Sequence, residues 1–314
     1  KQPCQKMKIY KPKFWRKKNI LSYILFPLSF LLQIVSFIKN IFIKKEKFNI
    51  PIICVGNIYL GGTGKTPLSI EIADVLKKDG KNPVIIKKFY HEHHDEYELI
   101  KNKNIDLITS TTRKKGITEA ISNNFDVVIL DDGFQDNSIY KNLNILCFNE
   151  NQLVGNEMTI PSGPLREPLS SLKRSQIILI NGNFNKNFEL KLVNIFREAN
   201  IYYSQYLAEN LEAFKNKNLL AFAGIGNPEN FFNLLEKNKL KVQKKIPFPD
   251  HYKYTIDELN NLINYAEKNN LEIVTTEKDY LRIKHHDIHK IKYLPIKLEF
   301  ENKEKFFKEI KNYL

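Results

Sequence analysis

Ile50-Pro51-Ile52-Ile53-Cys54-Val55-Gly56-Asn57, followed three residues later by Gly61-Gly62-Thr63-Gly64-Lys65-Thr66-Pro67, decides the fold. An apolar strand-like run, a glycine-rich turn and a Lys-Thr pair opening a helical stretch to Lys78 form the pattern of a phosphate-binding loop. Glycines let backbone N–H groups close around an oxyanion, and the start of the helix adds unpaired donors and the positive end of its dipole. Lys65 is placed to reach β- and γ-phosphates, and the Thr66 hydroxyl to ligate Mg²⁺. Pro67 suits the first helical turn, where its missing N–H costs nothing. Tyr59 stands where the strict G-x-x-x-x-G-K-[ST] pattern has its first glycine, so the match is to the G-G-x-G-K-[ST] variant. Gly61, Gly62, Thr63, Gly64, Lys65 and Thr66 are the expected nucleotide contacts.

Outward from this loop the chain alternates apolar runs with amphipathic ones, which implies an α/β fold. Strands are expected over 51–55, 83–87, 126–131, 144–148, 176–181, 219–223, 272–276 and 293–300. Helices are expected over 66–78, 116–123, 187–199, 229–237, 256–269 and 303–312. The 314 residues suffice for a P-loop α/β/α core domain over 48–210 and a smaller α/β domain over 216–295, with a strand and helix over 296–314. The junction falls near 208–217.

The front segment, 8–47, has a different character. Asn19 to Ile38 carries no charge and is as long as a membrane span. It contains Ser22, Ser29, Gln33, Ser36 and Pro27, and is basic on both flanks through Lys13, Arg16, Lys17 and Lys18, then Lys39, Lys44, Lys45 and Lys47. Symmetric positive flanks give no signal to orient a span, but they suit a helix lying at an anionic membrane surface. We expect a membrane-associating helix, with a single span as the alternative.

The net charge of +14 asks for an anionic partner. Aromatic residues sit in apolar runs rather than among lysines on a nucleic-acid module, so nucleic acid is not expected. Cys4, Cys54 and Cys147 are odd in number and far apart, which argues against a disulfide framework and for buried thiols.

Val127-Val128-Ile129-Leu130 ends in Asp131-Asp132-Gly133. Acids at the carboxyl end of a parallel strand beside a P-loop are the usual outer partners of Mg²⁺. The guanine-nucleotide signatures N-K-x-D and D-x-x-G are not matched. Their nearest segments are Thr276-Glu277-Lys278-Asp279 and Asp131-Asp132-Gly133, so ATP is the favoured nucleotide.

Together these segments resemble the tetraacyldisaccharide 4′-kinase family. The resemblance rests on Val55-Gly56-Asn57 with 61–66, Asp131-Asp132-Gly133-Phe134-Gln135, and Pro161-Ser162-Gly163-Pro164-Leu165-Arg166-Glu167-Pro168. It continues through Gly224-Ile225-Gly226-Asn227-Pro228, Phe248-Pro249-Asp250-His251 and Thr275-Thr276-Glu277-Lys278-Asp279. It implies transfer of phosphate from Mg-ATP to the 4′-hydroxyl of a tetraacylated glucosamine disaccharide 1-phosphate, at the cytoplasmic face of a bacterial inner membrane with anionic lipids and no obligate protein partner.

The resemblance further implies Asp131, Asp132 and Glu167 near the metal. It implies Asp95, in His94-Asp95-Glu96, as the base, and His251 as its partner. Those two lie on different expected domains, so domain closure would have to bring them together. The chain departs from the family's S-R-G-Y-like run with Lys87-Lys88-Phe89-Tyr90-His91, and Asp136 replaces the usual His after D-D-G-F-Q. His91, His93 and His94 read as a solvated basic loop rather than a zinc site. The alternative function is a membrane-tethered P-loop regulatory ATPase, which leaves the P-S-G-P-L-R-E segment unexplained.

Overall fold

The computed structural model describes residues 12–286 and 289–314; Cys4 and residues 8–11 of the front segment lie outside them. The strands are β1 Ile52–Gly56, β2 Pro83–Lys88, β3 Leu107–Ser110, β4 Val127–Asp131, β5 Leu143–Asn149, β6 Ile177–Asn181, β7 Asn200–Ala208, β8 Asn218–Ala223, β9 Lys241–Pro247, β10 Glu272–Thr276, β11 Ile291–Leu294 and β12 Ile296–Phe300. The α-helices are α1 Ile20–Phe42, α2 Lys65–Lys78, α3 His94–Asn102, α4 Arg113–Ser122, α5 Lys186–Ile195, α6 Pro228–Lys237, α7 Ile256–Lys268, α8 Glu277–Ile283 and α9 Lys303–Lys311.

Two compact units result. The larger comprises residues 13–91, 100–206 and 298–314. Its sheet runs β12-β7-β6-β5-β1-β4-β2-β3, and the pairings from β7 to β3 are parallel. β1 and β4 are buried along their whole length, as parallel strands covered on both faces must be. Successive residues serve opposite cores: Ile52, Cys54, Val128 and Leu130 pack on one face, and Ile53, Val55, Val127 and Ile129 on the other. The smaller unit includes residues 92–99 and 207–297, with the parallel sheet β11-β10-β8-β9. Residues 92–99 therefore group with the smaller unit and 298–314 with the larger, so neither unit is one continuous stretch of chain.

Helix α1 belongs to the larger unit and inverts the usual amphipathic arrangement. Asn19 caps it, with Oδ1 accepting from Ser22 N at 3.0 Å. Its buried residues are Ser22 and Ser29, while Ile20, Ile24, Leu31 and Phe37 are exposed. Ser29 Oγ lies 3.0 Å from the Thr159 carbonyl and 2.8 Å from Ser162 Oγ. Gln33 Nε2 donates to Thr159 Oγ1, Asn156 Nδ2 to Ser22 Oγ, and Asn137 Nδ2 to Asn40 Oδ1. Residues 22, 29, 33 and 40 recur on one helical face, so a polar seam holds α1 against the body and the apolar residues point outward.

Candidate active site

The glycine-rich loop leaves the carboxyl end of β1, beside β4 and β5 at the middle of the larger sheet, where ligands of open α/β sheets collect. Its shape is fixed by side chains from three directions. Asn57 Nδ2 donates to the Gly61 carbonyl at 3.0 Å and to Thr63 Oγ1 at 2.9 Å. Asn181 Nδ2, on β6, donates to the Thr63 carbonyl at 2.7 Å. Gln135 Nε2 closes the base of the loop on the Asn57 carbonyl at 2.8 Å. Gly64 has φ +91°, and a Cβ there would stand 2.4 Å from Asn181 Nδ2 and 2.5 Å from Tyr206 Oη, so only glycine serves. Tyr59, in place of the first glycine of the strict motif, is buried, and Asn57 holds the turn instead.

Helix α2 begins at Lys65. Thr66 Oγ1 donates to Asp131 Oδ2 at 2.7 Å, while Asp131 Oδ1 is buried without a hydrogen-bond partner. A hydroxyl and a carboxylate with a spare buried oxygen are the hard donors Mg²⁺ selects, so these residues fit the ion. Lys87, at the end of β2, also enters this corner: its Nζ is 2.5 Å from Asp131 Oδ2 and 3.4 Å from Thr66 Oγ1. Nothing in the spacing of motifs pointed to Lys87, whose position follows from β2 and β4 being neighbours.

Asp132 turns the other way, at φ +60°. Arg166 Nη1 donates to both its carboxylate oxygens, at 2.8 and 3.1 Å, and Lys65 Nζ is 3.5 Å away. Burial pushes the Asp132 carboxyl up, but the charges of Lys65 and Arg166 outweigh it and hold the group well below the ordinary carboxylate range. Arg166 is thus an ion-pair partner of the acidic pair. Glu167 is paired with Arg174; burial leaves its pKa raised despite that charge. The structure brings Thr66, Asp131, Lys65 and Asp132 together around the loop and gives Glu167 a different cation.

Asp95 and His251 both fall in the smaller unit, so no domain movement is needed to join them. Asp95 lies in the first turn of α3, not on a loop, and its side chain is wholly buried. Its Oδ2 accepts from Arg282 Nε at 2.9 Å and Nη2 at 2.6 Å, with Lys278 Nζ at 3.6 Å. Its Oδ1 lies 3.6 Å from His251 Nδ1, and neither atom has another hydrogen-bond partner. Burial pushes Asp95 up, yet the His251 imidazole and the charges of Lys278 and Arg282 outweigh it and hold the carboxyl well below its usual range.

His251 has φ +54°, uncommon for a non-glycine residue, and its ring stacks on His93 with centroids 4.3 Å apart. His93, Glu96 and His251 bring possible ligand atoms within 4.8 Å of one another, but the Lys278 ammonium sits 2.7 Å from Glu96. Arg282 also bonds Asp279 and the Gly224 carbonyl, so the G-I-G-N-P and T-T-E-K-D segments meet on one guanidinium. Sequence reading missed Arg282; the signal available was its place three residues after Asp279 on a short helix.

Comparison with known proteins gives one family. The sequence model described as tetraacyldisaccharide-1-P 4'-kinase matches residues 21–314. The tetraacyldisaccharide 4'-kinase of Pelagibacter ubique is 41% identical over 304 residues, covering 94% of this chain and 95% of that protein. The Rickettsia bellii protein of the same name is 34% identical over 293 residues, covering 88% and 90%. Among solved structures, LpxK from Aquifex aeolicus in complex with ATP superposes with a TM-score of 0.72 at 25% identity, covering 94% of this chain and 99% of that one. The chain therefore belongs to the tetraacyldisaccharide-1-P 4'-kinase family.

Proposed function

We propose that this protein transfers the γ-phosphoryl group of Mg-ATP to the 4′-hydroxyl of a tetraacylated glucosamine disaccharide 1-phosphate, yielding ADP and the 4′-phosphomonoester of lipid A biosynthesis. The observation that carries the reading is the family match over residues 21–314, joined to a phosphate loop braced by Asn57, Gln135 and Asn181.

Phosphoryl transfer depends mainly on positioning and charge stabilisation. The loop N–H groups from Gly61 to Thr66 and the Lys65 ammonium hold the β- and γ-phosphates. Thr66 and Asp131 would hold Mg²⁺, which when bound neutralises charge between those phosphates. Asp132, kept ionised by Lys65 and Arg166, orients the lysine it faces. Glu167 stays a further candidate acid near the metal once Arg174 releases it.

The hydroxyl must lose a proton as the new P–O bond forms. Asp95 has no exposed side-chain surface, whereas His251 is 19% exposed, so the hydroxyl meets the imidazole. Asp95, behind it, fixes the Nδ1–H tautomer and stabilises the imidazolium, the relation seen in Ser-His-Asp triads. The proton leaves the hydroxyl for His251, and the electron pair of the breaking bond stays on ADP.

The lipid substrate places the reaction at a membrane. The outward apolar face of α1, with exposed lysines at 39, 44, 45 and 47, suits insertion into the surface of an anionic leaflet, here the cytoplasmic face of the inner membrane. A seam holding the helix along the protein body favours this over a span.

The test is transfer of γ-labelled phosphate from ATP to a tetraacylated disaccharide 1-phosphate in detergent micelles with Mg²⁺. Labelled lipid that disappears in Lys65→Ala supports the reading; ATP turnover with unlabelled lipid overturns it.

A further inference from the structure

The Lys87 ammonium stands where a metal ion would be expected. Ile86 of β2 is in register with Leu130 of β4, which sets the next pair, Lys87 and Asp131, level at the carboxyl ends of neighbouring strands. The Lys87 side chain is 6% exposed and that of Asp131 is fully buried. This is a cation delivered by strand register into the interior rather than a surface lysine folded back. Its Nζ shares Asp131 Oδ2 with the Thr66 hydroxyl, so one carboxylate oxygen, one hydroxyl oxygen and one ammonium form a closed triangle.

We propose that Lys87 is a tethered cation that competes with the divalent metal for the Thr66–Asp131 corner of the nucleotide site. The proposal rests on the nucleotide-kinase reading above and deepens it. A buried carboxylate without a counter-charge is costly, and Lys87 supplies that charge when no metal is present. An ammonium and a divalent cation on the same oxygen repel strongly in a weakly screening interior, so the metal enters only as Lys87 swings aside. Two consequences follow for binding. Nucleotide phosphates meet two ammonium groups, Lys65 and Lys87, when metal is absent, so metal-free nucleotide is bound well. The free Mg²⁺ needed to convert the complex to its metal-loaded form is raised.

The experiment is a fluorescence titration with an N-methylanthraniloyl-labelled, non-hydrolysable ATP analogue, first in EDTA and then against increasing free Mg²⁺. In Lys87→Met the Mg²⁺ midpoint should fall, and the dissociation constant in EDTA should rise, each by about tenfold. Lys87→Arg keeps the charge and grips the carboxylate with two donors, so its Mg²⁺ midpoint should rise by about threefold or more. That variant decides the matter if Lys87→Met does not fold. A midpoint in Lys87→Met within twofold of the parent, or in Lys87→Arg below it, overturns the proposal while leaving the kinase reading intact. Absence of analogue binding to the unaltered protein, with or without Mg²⁺, overturns the nucleotide reading itself.

Discussion

Arg282 holds Asp95 by two of its nitrogens, Nε at 2.9 Å and Nη2 at 2.6 Å, on the same carboxylate oxygen. The other oxygen lies 3.6 Å from His251 Nδ1. In the proposed mechanism the imidazole takes the contact with the hydroxyl and Asp95 positions it. Asp95→Ala should lower turnover by about 10²–10⁴-fold, and His251→Ala similarly, with little change in ATP affinity. Steady-state kinetics with separate measurement of nucleotide binding checks this. Near-normal turnover in His251→Ala moves the proton acceptor elsewhere, and in Asp95→Ala it removes Asp95 as the positioning group.

Arg282 should matter for stability as well as for chemistry. Its loss takes the shared guanidinium away from two buried carboxylates, Asp95 and Asp279. Arg282→Met should destabilise the smaller unit by about 3–5 kcal/mol, the usual cost of breaking a buried pair from one side. Denaturant unfolding followed by circular dichroism measures it, and a loss below 1 kcal/mol would mean the carboxylates find other partners.

Acidification should act through the same groups. Asp95 and Asp132 both have carboxyls held below their ordinary range in the folded protein. The unfolded chain then binds more protons than the folded one between the two values. Their stabilisation is present above the unfolded pKa near 3.9 and is lost as pH falls below about 5 toward the depressed folded values. Unfolding midpoints between pH 7 and 3 should therefore decline at the acid end, and decline less steeply in Arg282→Met. Parallel curves for the two proteins would remove Asp95 from the account.

Gly64→Ala tests the loop independently of Lys65. The added methyl group meets Asn181 and Tyr206 at contact distances no real Cβ shows, in a backbone conformation that alanine resists. Nucleotide binding should be lost while the far-ultraviolet spectrum is retained. Retained affinity would mean the loop reshapes on binding.

Vesicle flotation tests the front helix. Removing residues 8–46, or replacing the exposed Phe30 and Leu31 by aspartate, should release the protein from phosphatidylglycerol vesicles. Binding equal to that of the unaltered chain would exclude α1 as the membrane element.

Much of the larger unit was legible because its core strands are buried on both faces. β1, β4, β5 and β6 are short apolar runs, and the turn after β1 carries its own chemical signature. Sequence reading missed β3, β7, β9, α3 and α8, and in two of these, β9 and α3, the composition answers to solvent. β9, Lys-Val-Gln-Lys-Lys-Ile-Pro, is a lysine-studded edge strand whose charges guard against further pairing and mask its periodicity. α3 begins among histidines and acids and read as a loop. Residues 293–300 read as one strand but form the end of β11 and all of β12, in different sheets, with Pro295 at the break. In the site, motif spacing pointed to the loop residues and the acidic pair. Arg282 was hidden, and Lys87 stood out only as a departure from the family's S-R-G-Y-like run, because the contacts of both depend on which strands and helices become neighbours.

The seam beneath α1 reaches from Ser22 to Asn40, about 27 Å of helix at 1.5 Å per residue. A rod pinned at one point can roll; pinned along that length, its azimuth is locked. In a bilayer every copy of the larger unit would then adopt the same tilt and depth, leaving rotation about the membrane normal and lateral diffusion as its search for lipid substrate.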